Sequence, residues 1–258
     1  SVVEYIIDRA HASVCDRVLE VGPGDGVLTR ALLGTEINSL YTVEVDERLR
    51  EGLENIASHD ARCLCFWGDA VKFDYTALPD VPTKIIANLP YHITTPILWK
   101  FFETLVPHGT NYMLLMVQLE AAERIASPEG HRERSPIGIM VEAFGSAKVL
   151  RKVMPESFYP KPKVVSAIIE IKIERNTNLA NDVTWRALLT RSFTQRRKTL
   201  VNNWCASYGN INRDRALEIL SLHGLAPTAR AEELPLDMWQ RLASVPDFAV
   251  RENRYVLG

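Results

Sequence analysis

The architecture of this chain follows from one segment, Val18-Leu19-Glu20-Val21-Gly22-Pro23-Gly24-Asp25-Gly26. Its first part has the apolar character of a buried parallel strand, and an amphipathic run follows the glycines. A strand, a glycine-rich turn and a helix open a dinucleotide-type α/β unit, because glycines allow a tight turn and a close approach of backbone to a ligand. We therefore expect a ligand at Gly22, Gly24 and Gly26, with Glu20 beside it. A single glycine motif is weak support, so an ordinary strand-to-helix turn stays an alternative.

Acidic residues end the next two predicted strands. Glu44 lies about 18 residues after the glycines, where a carboxylate can accept hydrogen bonds from both ribose hydroxyls of a cofactor. The third strand runs into Gly68-Asp69-Ala70, and Asp69 is placed to accept from an adenine amine. Either acid alone could be a solvated helix cap, but three such strand ends in succession favour a nucleotide-like ligand. We include the neighbours Val45 and Ala70 among its expected contacts.

The element Asn88-Leu89-Pro90-Tyr91 directly follows the apolar run Lys84-Ile85-Ile86-Ala87. It is therefore expected at the carboxyl end of a buried strand, the edge at which open α/β sheets bind ligands. The Asn88 side-chain oxygen and a nearby backbone carbonyl can accept both hydrogens of an exocyclic amine. Pro90 fixes φ and has no competing N–H, and Tyr91 offers a flat face on which a base can stack. The alternative is a strand-end turn with a half-buried tyrosine.

These motifs stand in the order typical of S-adenosylmethionine-dependent methyltransferases that act on amines, which the chain resembles. No G-x-x-x-x-G-K-[ST] segment is present, which argues against a P-loop hydrolase, and a hydride carrier is expected to leave more trace of pyrophosphate recognition. More closely, the chain resembles the KsgA family of rRNA adenine N6-dimethyltransferases over nearly its whole length. The further motifs that carry this resemblance are Val117-Gln118-Leu119-Glu120 with Glu123-Arg124, Phe158-Tyr159-Pro160-Lys161-Pro162-Lys163-Val164 with Ser166-Ala167, Gln195-Arg196-Arg197-Lys198-Thr199-Leu200, and Arg230-Ala231-Glu232-Glu233-Leu234.

The resemblance implies a fold, a cofactor and a substrate. The fold is a Rossmann-like class I methyltransferase sheet, mostly parallel with an antiparallel last strand, followed by a small α-helical domain. The cofactor is S-adenosylmethionine, and the substrate is a pair of adjacent adenosines near the 3′ end of small-subunit (16S) rRNA in a pre-30S particle, dimethylated at N6. Tyr91 would stack on one face of the target base and Phe158 would cover the other. Asn88 and the carbonyl of Leu89 or Pro90 would accept the N6 hydrogens, with no general base or metal required.

The chain departs from the family pattern in two places. The family begins with a short G-Q-N-F-L-type segment that touches the cofactor, whereas this sequence begins at Ser1 without a methionine, so we expect that segment to lie before residue 1. Residues 127–139 replace the family's Y-G-x-L-S-V stretch with charges, prolines and two glycines. Such a composition predicts a mobile loop, either solvated or in contact with RNA.

The alternation of predicted elements divides the chain near residue 178. Strands are expected near residues 17–22, 39–45, 62–67, 84–88 and 112–118, alternating with helices as in a parallel sheet. Two more strands, about 145–153 and 163–174, are expected as an antiparallel pair. Helical stripes at Trp185, Leu188, Leu189 and Phe193, and again between Ala216 and Leu222, are assigned to a core. We assign residues 1–178 to a cofactor-binding methyltransferase domain and 179–258 to a helical rRNA-binding domain.

The distribution of charge supports contact with RNA in the second part of the chain. Residues 1–80 carry 15 acidic and 7 basic side chains, whereas residues 184–230 carry 2 acidic and 8 basic ones. A basic run is often only a solvated face, but few acids interleave with this one, which favours phosphate contact. We expect the run from Arg186 to Lys198 to be helical. The predicted RNA contacts are Lys161, Lys163, Arg191, Arg196, Arg197 and Lys198.

Composition limits the remaining possibilities. No run of 18 apolar residues is present, so we expect no membrane span. Cys15, Cys63, Cys65 and Cys205 form no C-x-x-C pair and no histidine pair has metal-ligand spacing, so we expect buried, reduced thiols, a cytoplasmic protein and no metal. We also expect a monomer. An organellar version stays open. Two functional alternatives also remain: a macrolide-resistance-type methyltransferase of large-subunit rRNA, and a non-catalytic or dual-role assembly or mitochondrial transcription factor of the same fold.

Overall fold

A computed structural model describes residues 1–157 and 161–250 of the chain. The chain forms two compact units. The first consists of Ser1–Ala126 with Phe144–Asn176, and the second of Ser127–Ala143 with the chain from Thr177 onward. The second unit is therefore discontinuous in sequence, since it takes in a segment that the sequence pattern places among the strands.

The first unit is built on a seven-stranded sheet in the order β3-β2-β1-β4-β5-β7-β6. Its strands are β1 (Arg17–Val21), β2 (Ser39–Glu44), β3 (Cys63–Trp67), β4 (Lys84–Asn88), β5 (Tyr112–Gln118), β6 (Gly145–Val153) and β7 (Ser166–Ile173). Strands β1 to β5 run parallel, as predicted. Strands β1, β2, β4 and β5 are mostly buried, whereas in the edge strand β3 only Cys63 is buried. The order reverses between β1 and β4, which is the switch point where open α/β sheets bind ligands.

The last strand, β7, runs antiparallel to both of its neighbours, β5 and β6. The predicted antiparallel last strand is thus confirmed. Because β7 is reversed, its first residue, Ser166, pairs with Gln118, the last residue of β5. The start of β7 therefore lies at the same edge of the sheet as the carboxyl ends of the parallel strands.

Helices cover this sheet in the order that the pattern predicts. They are α1 (Val2–Ala10), α2 (Val27–Leu33), α3 (Arg50–His59), α4 (Thr94–Thr104) and α5 (Leu119–Ile125). Helix α1 begins at a capping box, in which the Ser1 hydroxyl accepts from the Glu4 N–H and the Glu4 side chain reaches back to Ser1. Helices α1 and α2 pack on a core that includes Ile6, Leu32 and Leu40.

The second unit is helical. It contains α6 (Pro136–Phe144) up to Ala143, followed by α7 (Val183–Ser192), α8 (Leu200–Ser207), α9 (Arg213–Leu222) and α10 (Leu236–Ala243). The stripe on α7 is buried as predicted, but on α9 the stripe ends early, since Leu222 is 72% exposed. In the described ranges, none of the helices has both the length and the apolar character needed to cross a membrane.

The prediction of a solvated loop at residues 127–139 holds for residues 128–133, which are exposed, and is wrong for residues 134–139, which are mostly buried and enter α6 at Pro136. The Gly130 N–H donates to the Glu232 carbonyl at 2.9 Å, and Arg134 is 0% exposed and paired with Glu142. The basic run is also not one helix, because α7 ends at Ser192 and residues 196–198 lie in the turn before α8. Turns and helices of this length share the same spacing of charges, so sequence periodicity alone could not separate them.

Candidate active site at the carboxyl edge of the sheet

The glycine turn lies between β1 and α2 and adopts backbone conformations that only glycine accepts readily. Gly22, Gly24 and Gly26 have φ of +67°, +57° and +75°. At Gly26, which caps α2, an added Cβ would lie 2.4 Å from Ile56 Cδ1. At Gly24 no atom lies within 4 Å of such a Cβ, so this residue needs glycine for its backbone rather than for space. The turn is therefore open toward solvent at its middle and packed at its end.

Glu44, at the end of β2, links the glycine turn to its own strand. One carboxylate oxygen accepts from the N–H groups of Val45 and Asp46 at 2.8 and 2.9 Å, and the other accepts from the Gly24 N–H at 3.2 Å. An ionised carboxylate can accept about four hydrogen bonds, so these three contacts fix the side chain and leave capacity for a ligand hydroxyl. Glu44 is thus oriented in advance, beside the turn where a ribose is expected.

Asp69 follows β3 and also lies at this edge. Its side chain accepts from the Val71 N–H at 2.9 Å, while its carbonyl oxygen accepts from Lys72 and Phe73. The Asp69 side chain is exposed, whereas Ala70 is buried and its carbonyl oxygen accepts from the Tyr75 hydroxyl at 2.9 Å. The tightly bonded turn presents one carboxylate toward the ends of β1 and β2.

A cavity of about 200 Å³ connects these strand ends. Glu44, Asp69 and His92 supply its charged and polar side chains. The apolar part of its lining comes from Val21, Val43, Val45, Ala70, Pro90 and Ile93. This volume is below the roughly 300–1,000 Å³ of a typical small-molecule site, and it is suited to part of a cofactor such as a nucleoside.

The Asn88-Leu89-Pro90-Tyr91 element borders the same cavity. Asn88 ends β4 and is exposed, whereas Leu89 is buried and donates its N–H to the Met116 carbonyl at 3.0 Å. A Cβ at Gly22 would lie 3.6 Å from Pro90 Cδ and 3.9 Å from the Asn88 carbonyl oxygen, so the glycine turn and this element are in close contact. A cofactor bound at the turn would therefore lie next to Pro90 and the Asn88 backbone, although of this element only Pro90 lines the cavity itself.

Tyr91 is half-buried and makes one side-chain hydrogen bond, between its hydroxyl and the Ser166 hydroxyl at 2.6 Å. Its ring thus connects the end of β4 to the start of β7. Phe158, the second aromatic residue expected at the base, lies outside the described residues.

Glu20 occupies a different position from the other predicted cofactor contacts. It is 1% exposed, it does not line the cavity, and its carboxylate accepts from the Thr29 hydroxyl of α2 at 2.7 Å. Burial raises the pKa of Glu20 to about 8. The structure therefore places Glu20 beneath the glycine turn, between β1 and α2, where it supports the turn from inside.

The predicted RNA contacts differ in their surroundings. Lys163, Arg197 and Lys198 are exposed, whereas Lys161 is paired with Glu156 and Arg191 lies over the Tyr208 ring at 4.5 Å. Arg196 donates from Nη2 to the carbonyl oxygens of Arg132 and Arg134 at 3.0 and 2.8 Å. Arg196 thus anchors residues 132–134 within the second unit, a role that its charge did not suggest.

Sequence reasoning missed His92, Ile93 and Ser166 as parts of this site. His92 and Ile93 directly follow the predicted element in a short 3₁₀ turn, so their proximity along the chain was an available signal. Ser166 could not be found in this way, because its contact with Tyr91 depends on the reversed direction of β7. In the described part of the chain, no group of three or more His, Cys, Asp or Glu side chains is arranged to hold a metal ion.

A parallel sheet with this reversed last strand, and with glycine, acidic and Asn-Leu-Pro-Tyr strand ends around one cavity, defines a class I S-adenosylmethionine-dependent methyltransferase. A family model described as ribosomal RNA adenine dimethylase matches residues 1–245. The chain belongs to this ribosomal RNA adenine dimethylase family.

Relatives of known name agree with this assignment. The chain is 35% identical to ribosomal RNA small subunit methyltransferase A of Deinococcus radiodurans, over 95% of this chain and 80% of the relative. It is 34% identical to the protein of the same name from Syntrophotalea carbinolica, over 95% of this chain and 91% of the relative.

Solved structures agree with the fold. A dimethyladenosine transferase from Plasmodium falciparum matches with a TM-score of 0.74 and 26% identity, over 93% of each chain. The 23S rRNA methyltransferase ErmE matches with a TM-score of 0.66 and 23% identity, over 94% of this chain and 95% of the other, which supports the fold alone.

Proposed function

We propose that this protein transfers methyl groups from S-adenosylmethionine to N6 of two adjacent adenosines near the 3′ end of small-subunit rRNA, within a pre-30S particle. The observation that carries the proposal is the contact of the glycine turn with the Asn88–Tyr91 element at one edge of the sheet. That contact supports the proposal because it brings the turn proposed to hold the cofactor next to the residue proposed to bind the amine. The names of the relatives, which are small-subunit methyltransferases, favour the small-subunit substrate.

The residues around the cavity fit S-adenosylmethionine. Glu44 retains acceptor capacity for ribose hydroxyls, Asp69 presents a carboxylate for an adenine amine, and Val45 and Ile93 supply apolar surface for the base. When bound, this cofactor supplies an electrophilic methyl group on a sulfonium. The cavity takes the nucleoside end, and the open middle of the glycine turn at Gly24 leaves room for the remainder.

The target adenosine would be turned out of its RNA context to reach this edge, at a cost of a few kcal/mol. Tyr91 stacks on one face of the base, and Phe158 is proposed to cover the other. Asn88 and the carbonyl of Leu89 or Pro90 accept the N6 hydrogens, which turns the nitrogen lone pair toward the cofactor. Catalysis then depends on positioning and electrostatics, with the proton lost to solvent after methylation.

The rRNA contacts are proposed to lie on both units. Arg197 and Lys198 in the α7–α8 turn, and Lys163 before β7, are exposed, and their side chains have no hydrogen-bonded partner among the described residues. Exposed cations of this kind bind phosphates without reading sequence. We propose that the protein acts as a monomer. The expected burial of the four cysteines is wrong for Cys15 and Cys205, which are exposed, whereas Cys63 is buried.

The non-catalytic assembly-factor alternative keeps the same surfaces and needs no intact amine site. The unaltered Asn88–Tyr91 element favours catalysis, because a protein that only binds particles has no use for an exposed amide beside a cofactor cavity. The large-subunit alternative is less favoured, because the curated relatives above are named for the small subunit.

The test is transfer of labelled methyl from S-adenosylmethionine to undermethylated small ribosomal subunits. Nucleoside digestion and mapping should find N6,N6-dimethyladenosine at two adjacent 3′-end positions. A mapped position in large-subunit rRNA would contradict the proposed substrate. Absence of transfer, both by this chain and by one extended at its N-terminus, together with intact particle binding, would favour the assembly-factor alternative.

A further inference from the structure

We propose that Ser166 is a positioning residue whose hydroxyl fixes the Tyr91 ring in the orientation in which a target base stacks on it. The inference rests on the proposed function, in which the target base stacks on Tyr91, and it names the residue that orients this ring. It concerns a residue on β7, 75 positions away along the chain from Tyr91.

The hydrogen bond between the two hydroxyls is short, and one of its partners, Ser166, is held firmly in the sheet. The Tyr91 hydroxyl lies 2.6 Å from Ser166 Oγ, and Ser166 is 0% exposed. Its backbone is paired on both flanks, with Gln118 of β5 and with Val153 of β6. Because the sheet holds the backbone of Ser166 on both sides, its hydroxyl is a well-positioned hydrogen-bond partner for the tyrosine ring.

Tyr91, in contrast, lies outside the sheet, on a short turn. It begins a 3₁₀ turn of three residues, Tyr91–Ile93, that follows Pro90 and is closed by the Ile93 N–H bonding to the Pro90 carbonyl. Among the described residues, its hydroxyl has no other hydrogen-bond partner than Ser166. A half-buried ring on so short a turn can rotate about its side-chain torsions unless its far end is held.

The reversed direction of β7 makes this arrangement possible. In an all-parallel sheet, the first residue of a strand lies at the opposite edge from the ligand. Because β7 is antiparallel, Ser166 instead reaches the edge at which Asn88 and Tyr91 lie. A purely structural role would be to satisfy a buried hydroxyl, and that role predicts lower stability with unchanged kinetics.

The experiment compares Ser166→Ala, Tyr91→Phe and the double variant in the full chain. Tyr91→Phe keeps the ring and removes only the hydroxyl, so either single change breaks the same hydrogen bond. Each should raise KM for the small-subunit substrate about three- to tenfold, the range expected for one hydrogen bond, and the double variant should be no worse than either single one. Affinity for S-adenosylmethionine, measured by calorimetry, should stay unchanged.

Ser192→Ala is the matched control. Ser192 is also a fully buried serine bonded to an aromatic side chain, since its hydroxyl accepts from Trp204 Nε1 at 2.8 Å within the second unit. Its loss should lower the melting temperature and leave KM unchanged. Unaltered kinetics in Ser166→Ala, or additive effects in the double variant, would overturn the inference.

A readout independent of methyl transfer separates this inference from the proposed function. An RNA oligonucleotide with 2-aminopurine at the target position should lose fluorescence on binding, because the base stacks on Tyr91. The loss should be smaller with Ser166→Ala. If the wild type quenches but transfers no methyl group, the proposed reaction fails while the positioning role stands; equal quenching by wild type and Ser166→Ala overturns the positioning role.

Discussion

Glu44 and Glu20 both lie near strand ends, but the neighbouring strands and helices give their side chains different surroundings. Both were expected to contact a cofactor, and both lie within the glycine-turn region of the sheet. Glu44 accepts three backbone N–H groups and still lines the cavity, whereas Glu20 is buried against Thr29. Both side chains point to the same face of the sheet, since Glu20 pairs with Thr42 and Glu44 lies two residues further along β2. The difference is that Glu44 ends its strand at the open edge, whereas Glu20 lies deeper in the sheet beneath Thr29 of α2, and residue type alone does not reveal this.

Replacement of Asn88 tests the proposed amine contact. Asn88→Ala removes the side-chain acceptor for an N6 hydrogen while leaving the exposed end of β4 otherwise intact, so methyl transfer should fall about 100-fold, as for the loss of one preorganised hydrogen-bonding group. Binding to small ribosomal subunits, measured by co-sedimentation, should persist. Loss of both together would contradict the assigned role.

Replacement of Glu20 tests the buried carboxyl. Burial raises its pKa from 4.5 to about 8, so between these pH values the folded protein retains a proton that the unfolded chain has released. The free energy of unfolding should therefore fall as pH rises from about 5 to 8. Glu20→Gln, which resembles the protonated form, should abolish this loss and exceed wild type by a few kcal/mol at pH 8.5, at about 1.4 kcal/mol per pKa unit.

Urea unfolding at pH 5 and pH 8.5 measures the difference. The exposed Glu51→Gln on α3 is the matched control, and its pH dependence should follow that of wild type. Parallel curves for wild type and Glu20→Gln would show that Glu20 is ionised in the folded protein throughout this range.

At the scale of elements, the turn between α7 and α8 combines two roles that look identical in the sequence. Arg196 and Arg197 are adjacent and both exposed in part, yet only Arg196 bonds to backbone carbonyls of residues 132 and 134. A string of basic residues predicts a nucleic-acid surface, but it does not reveal which cations are already used within the protein.

The two arginines should therefore respond differently to removal. Arg196→Ala breaks two hydrogen bonds to carbonyls and should lower the free energy of unfolding by about 1–3 kcal/mol. Arg197→Ala should leave stability nearly unchanged, weaken rRNA binding, and reduce the slope of log affinity against log salt by about one. Thermal melts and binding titrations at several salt concentrations distinguish them; equal losses of stability would refute the distinction.

For the molecule as a whole, sequence reasoning succeeded where one local signal determined the outcome. Periodicity predicted all seven strands, and the ordered motifs predicted which strand ends meet around one cavity. It failed where a distant segment decides the result. Residues 127–139 look like a solvated loop from their charges and prolines, but Gly130 and Arg134 are held by residues about 60 to 100 positions further along.

Fragment complementation tests this discontinuous unit. A fragment of residues 177–258 lacks α6 and the segment before it. It should therefore melt at a lower temperature than the full chain and bind a hydrophobic dye. Addition of a peptide of residues 127–143 should restore part of the melting temperature, because it restores the hydrogen bonds that join Gly130 to Glu232 and Arg196 to the carbonyls of Arg132 and Arg134. A peptide with Gly130→Pro, which lacks the N–H that bonds to Glu232, should restore less. If neither peptide changes the melting temperature, residues 127–143 do not stabilise residues 177–258, and the prediction is wrong.

The insertion of β7 between β5 and β6 also has a consequence for folding during synthesis. Strand β6 leaves the ribosome before β7 but can pair in the finished sheet only through it, since no ladder joins β6 to β5. The place between β5 and β6 therefore stays empty until residue 173 has emerged, and pairing of strands that are far apart in sequence, such as β5 and β7, is slow. Tyr91 gains its support only at that moment. A nascent chain can therefore assemble the glycine turn early, while the surface proposed to receive the base is completed only after β7 has been added.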